Sequence, residues 1–385
     1  MKLQLLILTV LKYLVLTNQD ERKKKEEGFV FNESDLFSLL NYTLPEYEDE
    51  TSSPCSETVP GFYGVGITIT YFIVFVVSLL GNIVVFYVVC HMKRSRASTD
   101  IYLMHLAIAD LLFTLTLPFW AVDAHSGWIF GTFPCKLLSA FQEASVYSGV
   151  FLLACISVDR HMAIVRATRA LTSHHLLVKV VCCAVWLVAG LLSLPVAIQR
   201  ESLPAEELGH NICYENLTGE SSDNWRVSIR VLRHTVGFFL PLMVMAFCYG
   251  WTMVTLYHAR NHQKHKAMRV ILAVVFAFVL CWLPYNIIVL VDTLIKGGSI
   301  KVKGCDTLYS VEMIMNVTQV LAFMHCAVNP VLYAFIGQKF RNELLSALYK
   351  QGLISRRLEL AYRKGSWNSA GSTRSRNTSA TMYNS

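Results

Sequence analysis

The chain has 385 residues, of which 54% are hydrophobic and only 16% charged. An ordinary soluble domain is about 25% charged. This chain therefore lacks the groups that keep a surface wet, which disfavours a soluble enzyme, a disordered chain and a collagen-like fibre. The net charge of +7 suggests a nucleic-acid partner only until its distribution is considered.

Residues 1–17, MKLQLLILTVLKYLVLT, read as a signal peptide or an extended start. They have a basic beginning and an apolar stretch broken by Lys12, no small-residue cleavage site follows, and they are short for a span. Residues 18–58 form an acidic N-terminal arm. Its part from 28 to 58 holds seven acids (Glu33, Asp35, Glu46, Glu48, Asp49, Glu50, Glu57) and no Lys or Arg. Such an arm is either a solvated tail or an electrostatic guide for a basic macromolecule.

Residues 59–337 read as membrane-embedded. No Asp, Glu, Lys or Arg occurs from Val59 to Cys90, and further apolar stretches lie near 101–122, 137–158, 176–198, 235–257, 270–291 and 311–337, seven in all. A bilayer core about 30 Å thick takes about 20 apolar residues as helix, and a helix satisfies its own backbone there. The stretches do not alternate as the strands of a membrane barrel do. The expected fold is an all-α membrane protein, a seven-transmembrane helix bundle.

Charge orients the bundle. Lys93, Arg94 and Arg96 follow span one, Arg166 and Arg169 follow span three, and Arg260, Lys264, Lys266 and Arg269 follow span five. The positive-inside rule makes these loops cytoplasmic. The odd span count then puts the N-terminus outside and the C-terminus inside, as in a multi-pass plasma-membrane protein. The positive charge marks topology and requires no nucleic acid. After the last span, residues 338–350 put Phe340, Leu344, Leu345 and Leu348 on one helical face, as in a short amphipathic eighth helix lying on the membrane. Residues 351–385 are a Ser/Thr-rich, disordered cytoplasmic tail.

Of eleven cysteines, four fall outside by this topology: Cys55, Cys135, Cys213 and Cys305. An even number in an oxidising compartment suggests two disulfides, for which three pairings are open. The reading taken joins Cys135, at the start of span three, to Cys213 in the loop after span four, and Cys55 to Cys305. The sequons at Asn32, Asn41 and Asn216 also lie outside and are expected to carry glycans; those at Asn316, in a span, and Asn377, in the tail, are expected to stay bare.

Polar groups inside spans are costly, and most of them are functional. Span one carries Asn82 after Gly81, span two Asp110 in LAIADLLF, span three ends in ISVDRHMAIV with Asp159 and Arg160, and span seven has Asn329 in NPVLY. A buried aspartate needs a counter-charge or a proton, or neighbouring oxygens could hold a small cation such as sodium beside Asp110, the one cofactor considered. The alternative is that these groups hydrogen-bond helices together. Prolines 118, 195, 241, 284 and 330 are expected to kink their helices, and Trp282 places a bulky ring two residues before Pro284.

Gly81-Asn82, the aspartate of LAIAD, D-R-H closing span three, Trp186, Pro241 with Tyr249, C-W-L-P and N-P-V-L-Y occur in order, one set per span. Together they make the chain resemble a class A G-protein-coupled receptor. Thr116-Leu117-Pro118, Trp128 in GWIFGTFPC, the second extracellular cysteine pair and the acidic tyrosine-bearing arm are similar to the chemokine receptors. HTVGFFLPLMVMAFCYG, AMRVILAVVFAFVLCWLPYN and FIGQKFR are similar to the CXC branch, and within it to the interleukin-8-type neutrophil receptors.

The resemblance implies a receptor for basic CXC chemokines that acts through inhibitory-type G proteins and drives leukocyte chemotaxis. The arm, with Tyr42, Tyr47, Glu48 and Asp49, would dock the chemokine body. Trp120, Asp123, Arg226, Arg230, Asp292 and Gln319 would meet its N-terminus. Gln319 stands where many relatives have a glutamate, and His161 stands where the family has tyrosine. Asp159 would hold Arg160 at rest; on activation Tyr249 and Tyr333 would support the opened cleft, with Trp282, Asn329 and Pro330 relaying the change. Arrestin and receptor kinases would act on the tail, membrane lipid surrounds the bundle, and a homo-oligomer is open. The rival reading is a receptor that takes up chemokines without G-protein signalling. A light sensor would need a lysine within span seven, and none lies between Tyr309 and Gln338. An enzyme is not expected, since there is no G-x-S-x-G and no H-E-x-x-H.

Overall fold

The computed structural model describes residues 61–91, 98–165, 175–205, 209–216, 222–259, 262–297, 299–300, 305–336 and 338–357. The helices are α1 (Gly61–His91), α2 (Ser98–Ser126), α3 (Thr132–Val165) and α4 (His175–Gln199). A hairpin of β1 (Arg200–Ala205) and β2 (His210–Glu215) follows, then α5 (Ser222–His234) and α6 (Leu240–Ala259). The chain continues with α7 (His262–Lys296), α8 (Cys305–Phe323), α9 (His325–Ile336) and α10 (Gln338–Lys350). Seven segments are long and apolar enough to cross a membrane: α1, α2, α3, α4, α5 with α6, α7, and α8 with α9. Many large apolar side chains face outward, among them Leu80, Leu187 and Phe247. In water such a surface would drive aggregation, whereas in lipid it is the expected outer face. The inner face is a continuous core around Phe113, Leu117, Leu152, Leu153 and Ile156.

Helix α3 packs on α2, α4 and α6 and reaches the hairpin at its first end. The close approach of α1 to α9 follows from three residues. Pro330 has no N–H, so the Cys326 carbonyl four residues back loses its helical donor. Asn82 Nδ2 replaces it at 2.9 Å and also donates to the Ser78 carbonyl at 3.0 Å. Gly81 permits the approach, because a Cβ there would stand 2.7 Å from Pro330 Cβ. This is the helix-gluing role weighed for Asn82, and the structure gives it a specific acceptor.

Span five does not run as one α-helix. Thr235–Phe239 forms a π-helical turn in which the Leu240 N–H donates to the Thr235 carbonyl, five residues back. The wide turn directly precedes Pro241, which has no donor to continue the ladder. Gly237 lies within it, against the Tyr147 ring: a Cβ would fall 2.5 Å from Cε1. Span seven, expected as one stretch over 311–337, is broken at Met324 into α8 and α9. The carbonyls ahead of the break are taken by side chains three residues on: His325 Nδ1 donates to Ala322 O at 2.7 Å and Cys326 Sγ to Phe323 O at 3.1 Å. Side chains that capture ladder acceptors in this way interrupt the helix.

The hairpin is a departure from a wholly helical expectation. Its antiparallel register sets Ser202 opposite Cys213 and Arg200 opposite Glu215. It is fixed from outside itself: Cys213 is disulfide-bonded to Cys135 of α3, and the Trp128 N–H donates to the Asn211 carbonyl at 2.7 Å. Gly127 and Gly131 bracket Trp128 with φ of +78° and +79°, a left-handed conformation open to glycine. Helix α10 covers the residues of the expected eighth helix, and the Phe340 ring stands 6.1 Å from that of Tyr333.

Candidate functional site

Three polar centres line the inside of the bundle. The first lies at the hairpin end. Trp128, Cys135 and Cys213 are buried together beneath the hairpin, with Trp120 and Trp128 ring centroids 5.4 Å apart. Below them is a narrow cavity of about 80 Å³, whose walls include Trp120, Glu143, Arg200, Arg233, Tyr285 and Gln319. Within that lining, Glu143 of α3 and Arg233 of α5 form an ion pair. Neither Glu143 nor Arg233 is among the candidate site residues read from the sequence. The available signal was spacing: Arg230, Arg233 and His234 share one face of α5.

Arg230 and His234 on that face also have polar partners. Arg230 Nη1 donates to Asp292 Oδ2 at 2.6 Å, and Lys296 Nζ reaches the same oxygen at 3.0 Å. His234 Nδ1 lies 2.7 Å from Asn286 Oδ1. Arg230 and Asp292, expected as separate ligand contacts, are therefore joined to each other and tie α5 to α7. Asp123 ends α2, where its carbonyl accepts from the Gly127 N–H at 3.0 Å. Its carboxylate lies within electrostatic reach of Arg200 and His210. Trp120 and Gln319 line the cavity. Arg226 falls in α5 and Cys305 begins α8, but their side chains lie outside the described part, as do Tyr42, Tyr47, Glu48, Asp49, Cys55, Asn32 and Asn41. On the hairpin, Asn216 Nδ2 donates to Glu201 Oε2 at 2.6 Å, and Lys136 Nζ lies 3.3 Å from Oε1. These bonds, that from Asn216 foremost, hold the Glu201 carboxyl below its ordinary range.

The second centre is midway. The Trp282 ring lies 5.2 Å from that of His325, and His325 Nε2 is 3.8 Å from Asp110 Oδ1. Asn329 Nδ2 donates to Asp110 Oδ2 at 2.8 Å. Thr114 Oγ1 bonds the Asp110 carbonyl at 2.6 Å and meets Ser78 Oγ at 2.5 Å. Residues far apart in sequence thus form one buried column from α7 through α9 to α2. The atoms placed at the carboxylate are nitrogens, whereas a hard cation takes oxygen lone pairs. Ser145 of α3 turns its hydroxyl to the Gln142 carbonyl at 2.7 Å. The arrangement is that of a hydrogen-bonded carboxylate.

The third centre lies at the other end of α3. Arg160 Nε and Nη2 both donate to Asp159 Oδ2, at 3.0 and 2.5 Å, and Thr99 Oγ1 lies 3.3 Å from the same oxygen. His161 Nδ1 is 3.3 Å from Thr252 Oγ1 on α6. Tyr249 and Tyr333 are both buried, and among the described residues the Tyr333 hydroxyl has no hydrogen-bond partner. A buried hydroxyl without a partner is costly, so Tyr333 suits a second arrangement in which it is satisfied.

Chemically, the three centres can hold charge and transmit displacement, but among the described residues none combines a nucleophile, a base and an oxyanion site. Residues 81–333 match the family described as 7 transmembrane receptor (rhodopsin family). The chain is 46% identical over 334 residues to C-X-C chemokine receptor type 1 of Homo sapiens, covering 87% of this chain and 95% of that protein. It is 44% identical over 346 residues to the type 1 receptor of Oryctolagus cuniculus, covering 89% and 97%. To C-X-C chemokine receptor type 2 of Homo sapiens it is 46% identical over 322 residues, covering 83% and 88%. The chain is a multi-pass membrane protein belonging to the rhodopsin family of seven-transmembrane receptors, in its C-X-C chemokine receptor branch.

Proposed function

We propose that this receptor binds basic CXC chemokines of the interleukin-8 type at the plasma membrane of leukocytes and passes the signal to inhibitory-type heterotrimeric G proteins, driving chemotaxis. The acidic arm faces the extracellular fluid and captures the chemokine body, aided by its tyrosines when sulfated. The chemokine N-terminus then enters beneath the hairpin. Its charges compete for Glu143, Arg233, Asp292 and Arg230, which are held by one another in the unliganded bundle. Glycans sit on the arm and on Asn216, a second disulfide ties Cys55 to Cys305, and receptor kinases and arrestin act on the tail.

The observation that carries the reading is the closed Asp159–Arg160 pair, at the far end of the helix that supplies Glu143. A rotation of α3 that loosens one pair is felt at the other. Arg160 released from Asp159 would meet an inserted G-protein helix, and Tyr249 and Tyr333 would find partners in the widened cleft. A receptor that merely carries chemokine into the cell has no use for an intact Arg160 lock. The test is cyclic AMP in transfected cells exposed to a chemokine panel. A fall with one or more chemokines supports signalling, whereas uptake of chemokine with cyclic AMP unchanged refutes it.

A further inference from the structure

The end of α3 that carries the Asp159–Arg160 pair meets the first turn of α2 through one side chain. Thr99 Oγ1 donates to Asp159 Oδ2 at 3.3 Å, the oxygen that also accepts from Arg160 Nε and Nη2. A threonine hydroxyl and a guanidinium therefore converge on a single carboxylate oxygen. Helix α2 has 29 residues, about 43 Å at the helical rise, against a bilayer core of about 30 Å. It has the length for its first turn to stand clear of the hydrocarbon, on the cytoplasmic side in the proposed topology.

Two further features set Thr99 apart. Residues 91–99, HMKRSRAST, carry Lys93, Arg94 and Arg96 and no acid. A basic run just ahead of a hydroxyl suits a protein kinase with an acidic substrate groove. Of the two hydroxyls that end the run, that of Ser98 is shielded, the residue being 1% exposed, whereas Thr99 is only half-buried.

Phosphorylation would reverse the chemistry at this point. The Thr99 oxygen attacks the γ-phosphorus of ATP, the bond from that phosphorus to the bridging oxygen of ADP breaks, and the hydroxyl proton passes to the kinase's base. The donor to Asp159 is lost, and a group of charge about −1.5 to −2 with three acceptor oxygens takes its place. The Asp159 carboxylate repels that group, whereas Arg160 is drawn to it. A guanidinium can bind phosphate through two parallel bonds to separate oxygens, while Asp159 offers it Oδ2 alone. We propose that Thr99 is a phosphorylation site for a basophilic protein kinase, and that phosphothreonine takes Arg160 from Asp159 and tethers it to α2. The consequence rests on the signalling function proposed above: an Arg160 held on α2 does not meet an inserted G-protein helix, so the mark silences coupling and leaves the hairpin end untouched.

The experiment treats the full receptor in nanodiscs with ATP and each of a panel of basophilic kinases, followed by phosphopeptide mapping. Phosphate is expected on Thr99. Chemokine-dependent nucleotide exchange should then fall about tenfold against the untreated sample, the change that one charge-assisted hydrogen bond withholding Arg160 would produce, with chemokine affinity in the absence of G protein unchanged. Thr99→Val, compared with its own untreated sample, should lack this fall, which separates Thr99 from the Ser/Thr-rich tail; Thr99→Ser should restore both the phosphate and the fall. A second readout needs no G protein: Thr99 phosphorylation should cost more thermal stability in Arg160→Ala than in the wild type, because the guanidinium that pairs with the phosphate is gone. No phosphate on Thr99 with any kinase, phosphate confined to Ser95 or the tail, undiminished exchange, or an equal stability loss with and without Arg160 would each overturn the proposal. If the untreated receptor gives no chemokine-dependent exchange, the signalling function fails by itself, and the phosphopeptide map and the stability comparison still decide this site. They also decide it if Thr99→Val does not fold.

Discussion

Replacing Arg233 with alanine removes the partner of Glu143, whose side chain is only 8% exposed. Taking one member from a buried ion pair costs about 3–5 kcal/mol, because the remaining charge is stranded. The Arg233 side chain is 29% exposed, so water can follow it into the gap, and the lower bound of about 3 kcal/mol applies. That is about a hundredfold in the folded-to-unfolded ratio. Removing both charges, with Glu143→Gln and Arg233→Met, leaves no stranded group and should recover most of the loss. The assay is thermal unfolding of the purified receptor in detergent for both single variants and the double variant. If the double variant is as unstable as Arg233→Ala, or if that single change shifts stability by less than about 0.5 kcal/mol, the pair is not the buried brace described.

Glu201 is held ionised by Asn216 and Lys136, so its folded pKa is depressed. The associated ordering of the hairpin should persist at neutral pH and fade as pH falls through the carboxylate range; amide hydrogen exchange at 200–216 should rise in acid, and Glu201→Gln should remove that pH dependence. Neutralising Glu46, Glu48, Asp49 and Glu50 together should slow chemokine association, most clearly at low salt; an unchanged on-rate would leave the arm inert. An antibody to residues 40–54 should stain intact cells, and staining only after permeabilisation would invert the proposed topology.

The spans were legible because a helix in lipid must be apolar along about 20 residues, and that demand is written locally. The polar centres were legible one member at a time. Asp110, Asn329, Asp159 and Arg160 stand out as ionisable or amide groups in apolar surroundings, but that Asn329 donates to Asp110 across 219 residues is a property of the packed bundle. Arg230 and Asp292 entered as ligand contacts that the family resemblance implies; the resemblance does not say that they neutralise each other. Arg233 was passed over because it was not distinguished from its cationic neighbours on α5, while its partner Glu143 lies on a different helix. The hairpin carries a proline and several charges in twelve strand residues, a weak strand pattern, and is imposed by the disulfide and by Trp128. The break at Met324 depends on where the His325 and Cys326 side chains point, which residue order does not state.

The central claim is that chemokine binding at the hairpin end releases Arg160 at the other. The most direct measurement is chemokine-dependent nucleotide exchange on an inhibitory-type G protein by the receptor reconstituted in nanodiscs, compared with Arg160→Ala. The account predicts exchange in the wild type, its loss in the variant, and equal chemokine affinity in the two before G protein is added. Exchange that survives in Arg160→Ala, or that never depends on chemokine, would contradict it.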